Sequence, residues 1–348
     1  MNWKRVAAAS WSNLQPSLPI KKNETSDSNS RPRKATIYDL ARVAGVSPGT
    51  VSRVLNNRDR VKAETREKVL SAATKLRLRP QASVRLRQIA LITDPGYSDR
   101  IEGYAATVTA HLSFALSRRN IGVVIPNNPE EELSGLYLDG VIAITYNEAL
   151  RQVLSRLEER THIVYLDRFD VVATQNVVCS DHYRAGYLAA QHFIARGKQR
   201  LAFLGRDLEP FRVRLQGFRA AMEEAGIAPD DRRLSLVGSS HNSTSVLSRL
   251  VKLDADALYV PGTSYQALDC LHMLTYVMGK RIPEDIGLIG GENEGISASL
   301  NPPLTTIDES LRDLAENAAA MLDRLTSHQT VTARRVVVPV SLIERDSV

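Results

Sequence analysis

The sequence predicts an all-α module followed by a two-lobed α/β domain with parallel sheets. Residues 36–76 contain three short segments whose apolar residues recur at helical spacing. From residue 88 onward, short apolar runs alternate with longer amphipathic segments, as they do in βαβ units. A chain of 348 residues is long enough for one small module and two lobes with cores of their own.

The first two predicted helices are joined by a tight turn. Thr36 and Asp39 have the spacing of a capping box, so the first helix is expected to begin directly after Thr36. Gly45 suits the left-handed conformation that ends a helix. Ser47 then caps the second helix, and Pro48 fits its first position. This order of residues predicts a helix-turn-helix.

The outward face of the second helix carries short or polar side chains that can bond to phosphates or to base edges. These residues are Gly49, Thr50, Ser52, Arg53 and Asn56. Arg53 is predicted to bind guanine, because an arginine fork matches the O6 and N7 acceptors and adds about 1–3 kcal/mol of discrimination. Helical hairpins with a glycine turn also occur in proteins that bind no nucleic acid. The helical hairpin alone therefore does not distinguish a DNA-binding protein from these other proteins.

The distribution of charge along the chain also favours nucleic-acid binding. Residues 1–87 contain 19 Lys or Arg and 6 Asp or Glu, which gives a net charge of +13. The whole chain has 45 basic and 39 acidic residues, so the remainder has 26 basic and 33 acidic residues and a net charge of −7. A basic module on an acidic body is typical of a nucleic-acid-binding protein, although a solvated basic face would give the same count.

Residues 36–80 closely resemble the headpiece of the lactose and galactose repressor family of bacterial transcription regulators. The resemblance implies a headpiece at 35–79 with a third helix from about Ala63 to Leu76. It also implies that Pro48 and Gly49 occupy the positions that set much of the sequence preference. Since neither residue has a hydrogen-bonding side chain, base readout should depend on Arg53, Thr50 and DNA shape. The other DNA-contacting positions implied by the family are Thr36, Ser47, Ser52 and Asn56.

A short hinge is expected at 80–88. In the family, a leucine of the hinge wedges into the minor groove, a contact that repays the cost of unstacking the bases. Leu86 is the leucine available for this role, so it joins the predicted DNA contacts. The alternative is that Leu86 packs at the entry to the core of the next domain.

Residues 1–34 lack apolar periodicity and are predicted to form a disordered basic arm. Their apolar run of four residues is shorter than the roughly 7–15 of a secretory signal, and no stretch approaches the ~18 apolar residues of a membrane span. We therefore expect a cytoplasmic, nucleoid-associated protein with no membrane contact. Cys179 and Cys270 lie outside any metal-ligand spacing, so neither a metal nor another cofactor is predicted.

Residues 89–348 are predicted to form two lobes joined by several crossovers, an arrangement that resembles the bacterial solute-binding, or periplasmic-binding-protein-like, fold. The first lobe should close near Cys179. Its predicted strands are 88–93, 121–125, 140–145 and 162–166, and its predicted helices are 100–118 and 147–159. The predicted strands of the second lobe are 200–204, 233–237, 256–260, 286–290 and 335–343, and its predicted helices are 182–196, 212–225, 243–252, 264–279 and 309–326.

Ligands of open α/β sheets bind beyond the carboxyl ends of the strands, which directs attention to the loops that follow them. The residues predicted there to contact a small effector are Asp94, Tyr97, Tyr146, Asp167, Thr263 and Glu292. Residues 211–218 look like the family's effector-contacting motif, which puts Arg214 in the sugar- or anion-binding position. A structural ion pair is the alternative for Arg214, and a helix cap is the expected role of Asp181.

Two stretches depart from the family pattern. Gly262 and Thr263 stand where relatives usually show Asn-Asp, and residues 290–293, Gly-Gly-Glu-Asn, stand where they show Gly-Tyr-Asp-Asp. A sugar site uses short acidic acceptors for hydroxyl donors, so both changes alter the expected carboxylates. The effector is therefore expected to be unusual, weakly bound or absent.

The leading hypothesis is a homodimeric transcription regulator, in the form of a repressor, that binds double-stranded operator DNA and responds to a small, sugar-like metabolite. One alternative is a solute-binding receptor without regulatory DNA contact, and another is a regulator that has lost its effector response. An enzyme is the third class, but no nucleophile motif, phosphate loop or metal spacing supports a catalytic residue.

Overall fold

The computed structural model describes residues 36–55, 61–76, 87–94, 103–133, 135–136, 138–169, 173–238, 243–262, 266–293, 295–331 and 333–348. The chain divides into two compact units, Met1–Arg85 and Leu86–Val348. Within these described ranges, no helix has both the length and the apolar character needed to cross a membrane.

The described part of the first unit contains three short helices, α1 (Ile37–Ala44), α2 (Pro48–Leu55) and α3 (Ala63–Lys75). The predicted capping box is present, because the Thr36 backbone N–H donates to Asp39 Oδ2 at 2.9 Å and the Asp39 N–H donates back to Thr36 Oγ1 at 3.3 Å. Gly45 ends α1 with φ at +65°. The apolar stripes of the three helices meet in one small core: Leu40, Ala41, Val51, Val54, Val69, Ala72 and Ala73.

The second unit is built on two six-stranded sheets. The first sheet is parallel throughout in the order β11-β5-β4-β3-β1-β2, and its strands are β1 (Arg87–Thr93), β2 (Ile121–Val124), β3 (Gly140–Ile144), β4 (His162–Leu166), β5 (Asn176–Ser180) and β11 (Arg335–Val338). The second has the order β12-β10-β9-β8-β6-β7, and its strands are β6 (Leu201–Arg206), β7 (Leu234–Val237), β8 (Ala257–Tyr259), β9 (Gly287–Gly291), β10 (Thr305–Asp308) and β12 (Ser341–Ile343). Only β12 runs antiparallel to its neighbour among these described strands.

Helices cover both faces of each sheet, which is why the central strands are continuous apolar runs. The helices of the first lobe are α4 (Gly103–Ser117), α5 (Pro129–Glu132), α6 (Glu148–Leu157) and α11 (Leu311–Thr326). The helices of the second are α7 (His182–Ala195), α8 (Glu209–Glu224), α9 (Ser243–Lys252) and α10 (Gln266–His272). The two-lobed parallel architecture expected from the sequence is therefore present.

Five details of the sequence prediction were wrong. The single strand expected at 335–343 is two strands, β11 and β12, in different sheets, because Pro339 lacks the N–H that continued pairing would need. Helix α11 and strand β11 belong to the first lobe rather than the second. Strands β5 and β10 were absent from the prediction. The helix expected at 264–279 turns into a π-helical segment after His272.

The chain therefore passes between the lobes three times: from β5 to α7, from β10 to α11, and from β11 to β12. These connections lie side by side. The Asp181 N–H donates to the Val338 carbonyl at 2.9 Å, and the Ser180 hydroxyl donates to the Glu309 carbonyl at 3.0 Å. The three connections therefore form one junction between the two sheets.

Arg87, the first described residue of the second unit, is bound to the carboxyl end of α11. Arg87 Nη1 lies 2.6 Å from Asp323 Oδ1 and donates to the hydroxyls of Thr326 at 3.1 Å and Ser327 at 2.8 Å. Arg87 also opens β1, so residues 87 and 88 of the expected 80–88 hinge belong to the sheet. The remainder of that hinge lies outside the described residues.

Candidate functional sites

The face of α2 predicted to meet nucleic acid is open to solvent. Ser47, Pro48, Gly49 and Arg53 are exposed, whereas Thr50 and Ser52 are half-buried. Ser47 acts as the predicted cap, since its hydroxyl accepts the Thr50 N–H at 3.1 Å and lies 2.9 Å from the Thr50 hydroxyl. Two further predicted DNA contacts, Asn56 and Leu86, lie outside the described residues.

Arg53 is held against the first turn of α2. Its Nε donates to the Gly49 carbonyl at 3.2 Å, along a face where Gly49 has no side chain to obstruct the guanidinium. Thr36 is half-buried and uses its hydroxyl in the capping box, where it donates to Asp39 at 2.8 Å. Apart from Thr36, the described candidates for DNA contact therefore lie on α2 or at its N-cap.

At the carboxyl edge of the first sheet, Asp94 is bound to the chain itself. Its carboxylate accepts the N–H groups of Tyr146 at 2.9 Å and Asn147 at 3.1 Å, and it also accepts the hydroxyl of Thr145. The Tyr146 hydroxyl points toward the Asp167 carbonyl at 3.4 Å. Asp94 therefore fixes the loop between β3 and α6 and keeps Tyr146 beside Asp167.

Asp167 is buried between three donors. It accepts the hydroxyl of Tyr104, the N–H of Ser180 at 2.9 Å and, at the same distance, lies against His182 Nε2. Burial alone would raise the pKa of Asp167, but His182 and the hydrogen bonds from Tyr104 and Ser180 lower it below its ordinary value. Asp167 has φ at +48°, a left-handed conformation held by these contacts.

Arg214, on α8, is buried with an acidic partner. Its Nη2 lies 2.6 Å from Glu309 Oε2, and the exposed fractions of the two side chains are 4% and 2%. Glu309 follows β10, in the second of the three connections between the lobes. Its Oε2 also lies 3.9 Å from His182 Nδ1. The predicted residues Asp167 and Arg214 thus belong to one buried chain of contacts through His182 and Glu309.

The carboxylate of Glu292 is bound to other residues of the second lobe. It accepts the Thr306 hydroxyl and forms an ion pair with Arg345 Nη1 at 2.9 Å, with little of either side chain exposed. Tyr97 and Thr263 lie outside the described residues. Each predicted effector-binding charge that the structure describes, namely Asp94, Asp167, Arg214 and Glu292, therefore has a partner within the chain.

Sequence reasoning missed Tyr104, His182, Glu309 and Arg345. His182 and Glu309 follow strands of their sheets, so the rule that selected Asp167 would have found them had β5 and β10 been predicted as strands. Tyr104 and Arg345 left no comparable signal, because one lies inside a helix and the other near the end of the chain.

The described residues give no indication of metal or thiol chemistry. None of their His, Cys, Asp and Glu side chains form a group of three or more that could hold a metal ion. Burial raises the pKa of the Cys179 thiol to about 11 and that of Cys270 to about 12, so both stay protonated at neutral pH. Asp181 caps α7 as expected, accepting the Arg184 N–H at 2.9 Å.

Comparison with known families identifies both parts of the chain. Residues 36–81 match the family described as bacterial regulatory proteins, lacI family, and residues 190–348 match a periplasmic binding protein-like domain. The chain thus joins a lacI-family DNA-binding domain to a periplasmic-binding-protein-like domain. The helix-turn-helix of the first domain contains α1 and α2, and the protein is a DNA-binding transcription regulator.

Full-length relatives have the same organisation. The HTH-type transcriptional regulator DegA of Bacillus subtilis is 27% identical over 90% of this chain and 98% of its own. The ribose operon repressor of Escherichia coli is 28% identical over 90% of the chain and 99% of its own. A solved structure of the transcriptional regulator CelR with cellobiose is 26% identical, covers 90% of this chain and 99% of its own, and has a TM-score of 0.67.

Replacing Asp167 with asparagine should change how the stability of the protein depends on acid pH. A carboxyl group whose pKa is lowered by folding stabilises the fold above its ordinary pKa of 3.8, and that contribution is lost as the pH falls through the lower, folded-state value. Urea unfolding should therefore show the variant to be about 1–3 kcal/mol less stable at pH 7, with a smaller difference below pH ~4. A difference that does not depend on pH would contradict this role.

Proposed function

We propose that the protein is a homodimeric repressor whose two headpieces bind a pseudo-palindromic operator, and whose operator affinity is controlled by a small molecule bound between the α/β lobes. Such a regulator would act at the chromosome, in the cytoplasm. The observation that carries the proposal is the exposed face of α2, where Arg53 lies beside Gly49 on a helix capped for a precise orientation.

Dimerisation follows from the size of the reading surface. One short helix offers few base contacts, whereas paired helix-turn-helix units bind two half-sites about one helical turn apart and double those contacts. Repression, rather than activation, is supported by the similarity to the ribose operon repressor, which matches this chain over nearly the full length of both proteins. The net charge of +13 on residues 1–87 would supply the phosphate contacts that every half-site needs.

Effector control is supported by the position of the buried contacts between the lobes. The contacts of Asp167, His182, Glu309 and Arg214 span the junction where the chain passes from one sheet to the other. A ligand that changes lobe closure must alter these contacts, because hinge motions are absorbed at such connections. The names of the relatives refer to a ribose operon and to cellobiose, which favours a carbohydrate-like effector here.

The test is selection of binding sites from random-sequence DNA, followed by gel-shift titration and analytical ultracentrifugation of the complex. We expect an enriched pseudo-palindrome, a shift that competitor DNA does not abolish, and two protein chains per site. A monomer on the selected DNA, or a shift without sequence preference, would remove the proposed mechanism.

Arg53→Ala is expected to weaken binding to the selected operator by about 1–3 kcal/mol, with a much smaller loss on random DNA, because the guanidinium fork reads a base. Arg53→Lys should lose nearly as much, since it keeps the charge but not the fork. The matched control is Arg42→Ala, which removes an exposed arginine from α1. Equal losses for Arg42 and Arg53 on every sequence would mean that Arg53 contacts only phosphate.

A regulator without effector response is the second candidate. It is favoured by one observation: Asp94, Asp167, Arg214 and Glu292 all have partners within the chain. A thermal-shift screen of sugars, nucleosides and sugar phosphates separates the two candidates, provided that each stabilising compound is also tested in the gel shift. Compounds that raise the melting temperature without changing operator affinity would favour the second.

A further inference from the structure

The buried pair of Arg214 and Glu309 gives the junction between the lobes an acidic counter-ion of its own. Burial opposes the charge on a guanidinium, yet the pKa of Arg214 is raised, mainly by the carboxylate of Glu309. Because both side chains are almost fully buried, removing either charge would leave the other without compensation. An anionic ligand could therefore pair with Arg214 only by displacing Glu309 or by placing its own negative charge close to that of Glu309.

Three buried polar atoms around this pair have no hydrogen-bond partner in the described parts of the chain: Arg214 Nε, Glu309 Oε2 and His182 Nδ1. The 2.6 Å contact between Arg214 Nη2 and Glu309 Oε2 is ionic, with angles outside those of a hydrogen bond. The unused capacity is thus mixed, with a donor on Arg214 and an acceptor on Glu309. Buried polar groups of this kind require a partner.

A hydroxyl group matches this mixed capacity. It can donate its hydrogen to Glu309 Oε2 and accept a hydrogen bond from Arg214 Nε at the same time. A carboxylate ligand only accepts hydrogen bonds, so it cannot satisfy Glu309. Inorganic phosphate keeps a P–OH donor at neutral pH, but, like a carboxylate, it would place a like charge beside Glu309. The contact chemistry therefore separates uncharged hydroxyl compounds from anions.

Aromatic rings lie at both ends of this group. The ring of Phe169 lies 5.4 Å from that of His182, and the Arg214 guanidinium carbon lies 5.0 Å from the centre of the Phe211 ring. Both phenylalanines are half-buried. Ligand sites commonly combine apolar and aromatic walls with a few polar groups that fix orientation, and a ring compound with hydroxyl groups suits that combination.

We propose that Glu309 is a selectivity residue, which makes the site between the lobes accept uncharged, hydroxyl-bearing ligands and reject phosphate- and carboxylate-bearing ones. The inference rests on the proposed effector function, since it assigns the chemical class of the ligand at that site. The ligand reaches the pair when the lobes open, and its hydroxyl group bridges Arg214 and Glu309 when they close. Selectivity thus arises from a repulsive group as well as from attractive ones.

The test is calorimetric titration of the full-length protein with inorganic phosphate. Glu309→Gln should bind phosphate at least about tenfold more tightly than wild type, because the repulsive charge is gone and Arg214 is free to pair. The gain should disappear in Glu309→Gln/Arg214→Gln, and Glu309→Asp, which keeps the charge, should behave like wild type. Phosphate that binds the basic headpiece contributes equally to every variant.

Glu316→Gln is the matched control, since Glu316 is also paired with arginines, Arg118 and Arg119, but on the surface. It should not reproduce the gain. If Glu309→Gln gains no affinity, or if its gain persists without Arg214, the proposal is overturned. Should Glu309→Gln fail to fold, wild type is compared with Arg214→Gln: phosphate binding that depends on Arg214 in wild type overturns the proposal, and its absence supports it.

Operator binding is measured separately for each variant. A protein that selects no DNA sequence but shows the tenfold gain would refute the proposed regulator while leaving the charge selectivity intact. Selective operator binding without the gain would do the reverse.

Discussion

Replacing Gly186 with alanine is expected to destabilise the second lobe by at least about 3 kcal/mol. Helices α7 and α8 cross so closely that a Cβ at Gly186 would lie 1.8 Å from the carbonyl oxygen of Arg214. Gly217 meets the same restriction from the other side, with a Cβ position 1.9 Å from the Tyr183 carbonyl oxygen. Backbone atoms cannot rotate away as a side chain would, so the helices must separate.

The measurement is urea unfolding followed by circular dichroism, with Gly122→Ala as the control. A Cβ at Gly122 would meet its nearest neighbours at 3.7 Å, an ordinary contact, so that variant should unfold much as wild type does. A cost below about 1 kcal/mol for Gly186→Ala would show that α7 and α8 can separate at little cost. The same separation would move Arg214, so effector binding should fall together with stability.

Arg214→Ala is expected to cost about 3–5 kcal/mol, because it leaves the carboxylate of Glu309 buried without a counter-ion. Glu309→Gln added to this variant should restore part of the loss, since the second change removes the uncompensated charge. The coupling energy from the complete double-mutant cycle measures this interaction by equilibrium unfolding. Additive losses across the cycle would mean that the two side chains are energetically independent.

The control for this prediction is Arg212→Ala, two residues away on the same helix. Arg212 pairs with Asp207 at 2.7 Å, but both side chains are about half exposed. Solvent-exposed ion pairs contribute about 0–1 kcal/mol, so the loss should be small. A large loss at Arg212 would attribute the effect at Arg214 to the helix rather than to burial of the charge.

Local signals in the sequence were sufficient to predict the first two helices of the headpiece and the turn between them. The capping box at Thr36, the turn at Gly45 and the cap at Ser47 each depend on residues within a few positions of one another, and all three are present. The strands of the two lobes were harder to predict, because Pro339 lies within a single apolar run of the sequence. Only the neighbouring strands in space determine that β11 joins one sheet and β12 the other.

At the candidate site between the lobes, the sequence predicted the position of charged residues but not their partners. The rule that ligands bind beyond the carboxyl ends of strands led to Asp94, Asp167 and Glu292, but it cannot tell whether a carboxylate is available. Asp94 accepts backbone N–H groups of Tyr146 and Asn147, contacts that depend on how β1 and β3 lie in the sheet. The partner of Arg214 lies in a connection far along the chain, where spacing gives no indication of it.

The separate fates of β11 and β12 determine when the lobes can be completed during synthesis. Each sheet takes one of its strands from the last stretch of the chain, and the core of the first lobe also includes α11. Domains made of contiguous sequence fold one after another as they leave the ribosome. Here, although the first lobe begins with β1, it must wait for residues that emerge after almost the whole second lobe, so the two lobes are completed together.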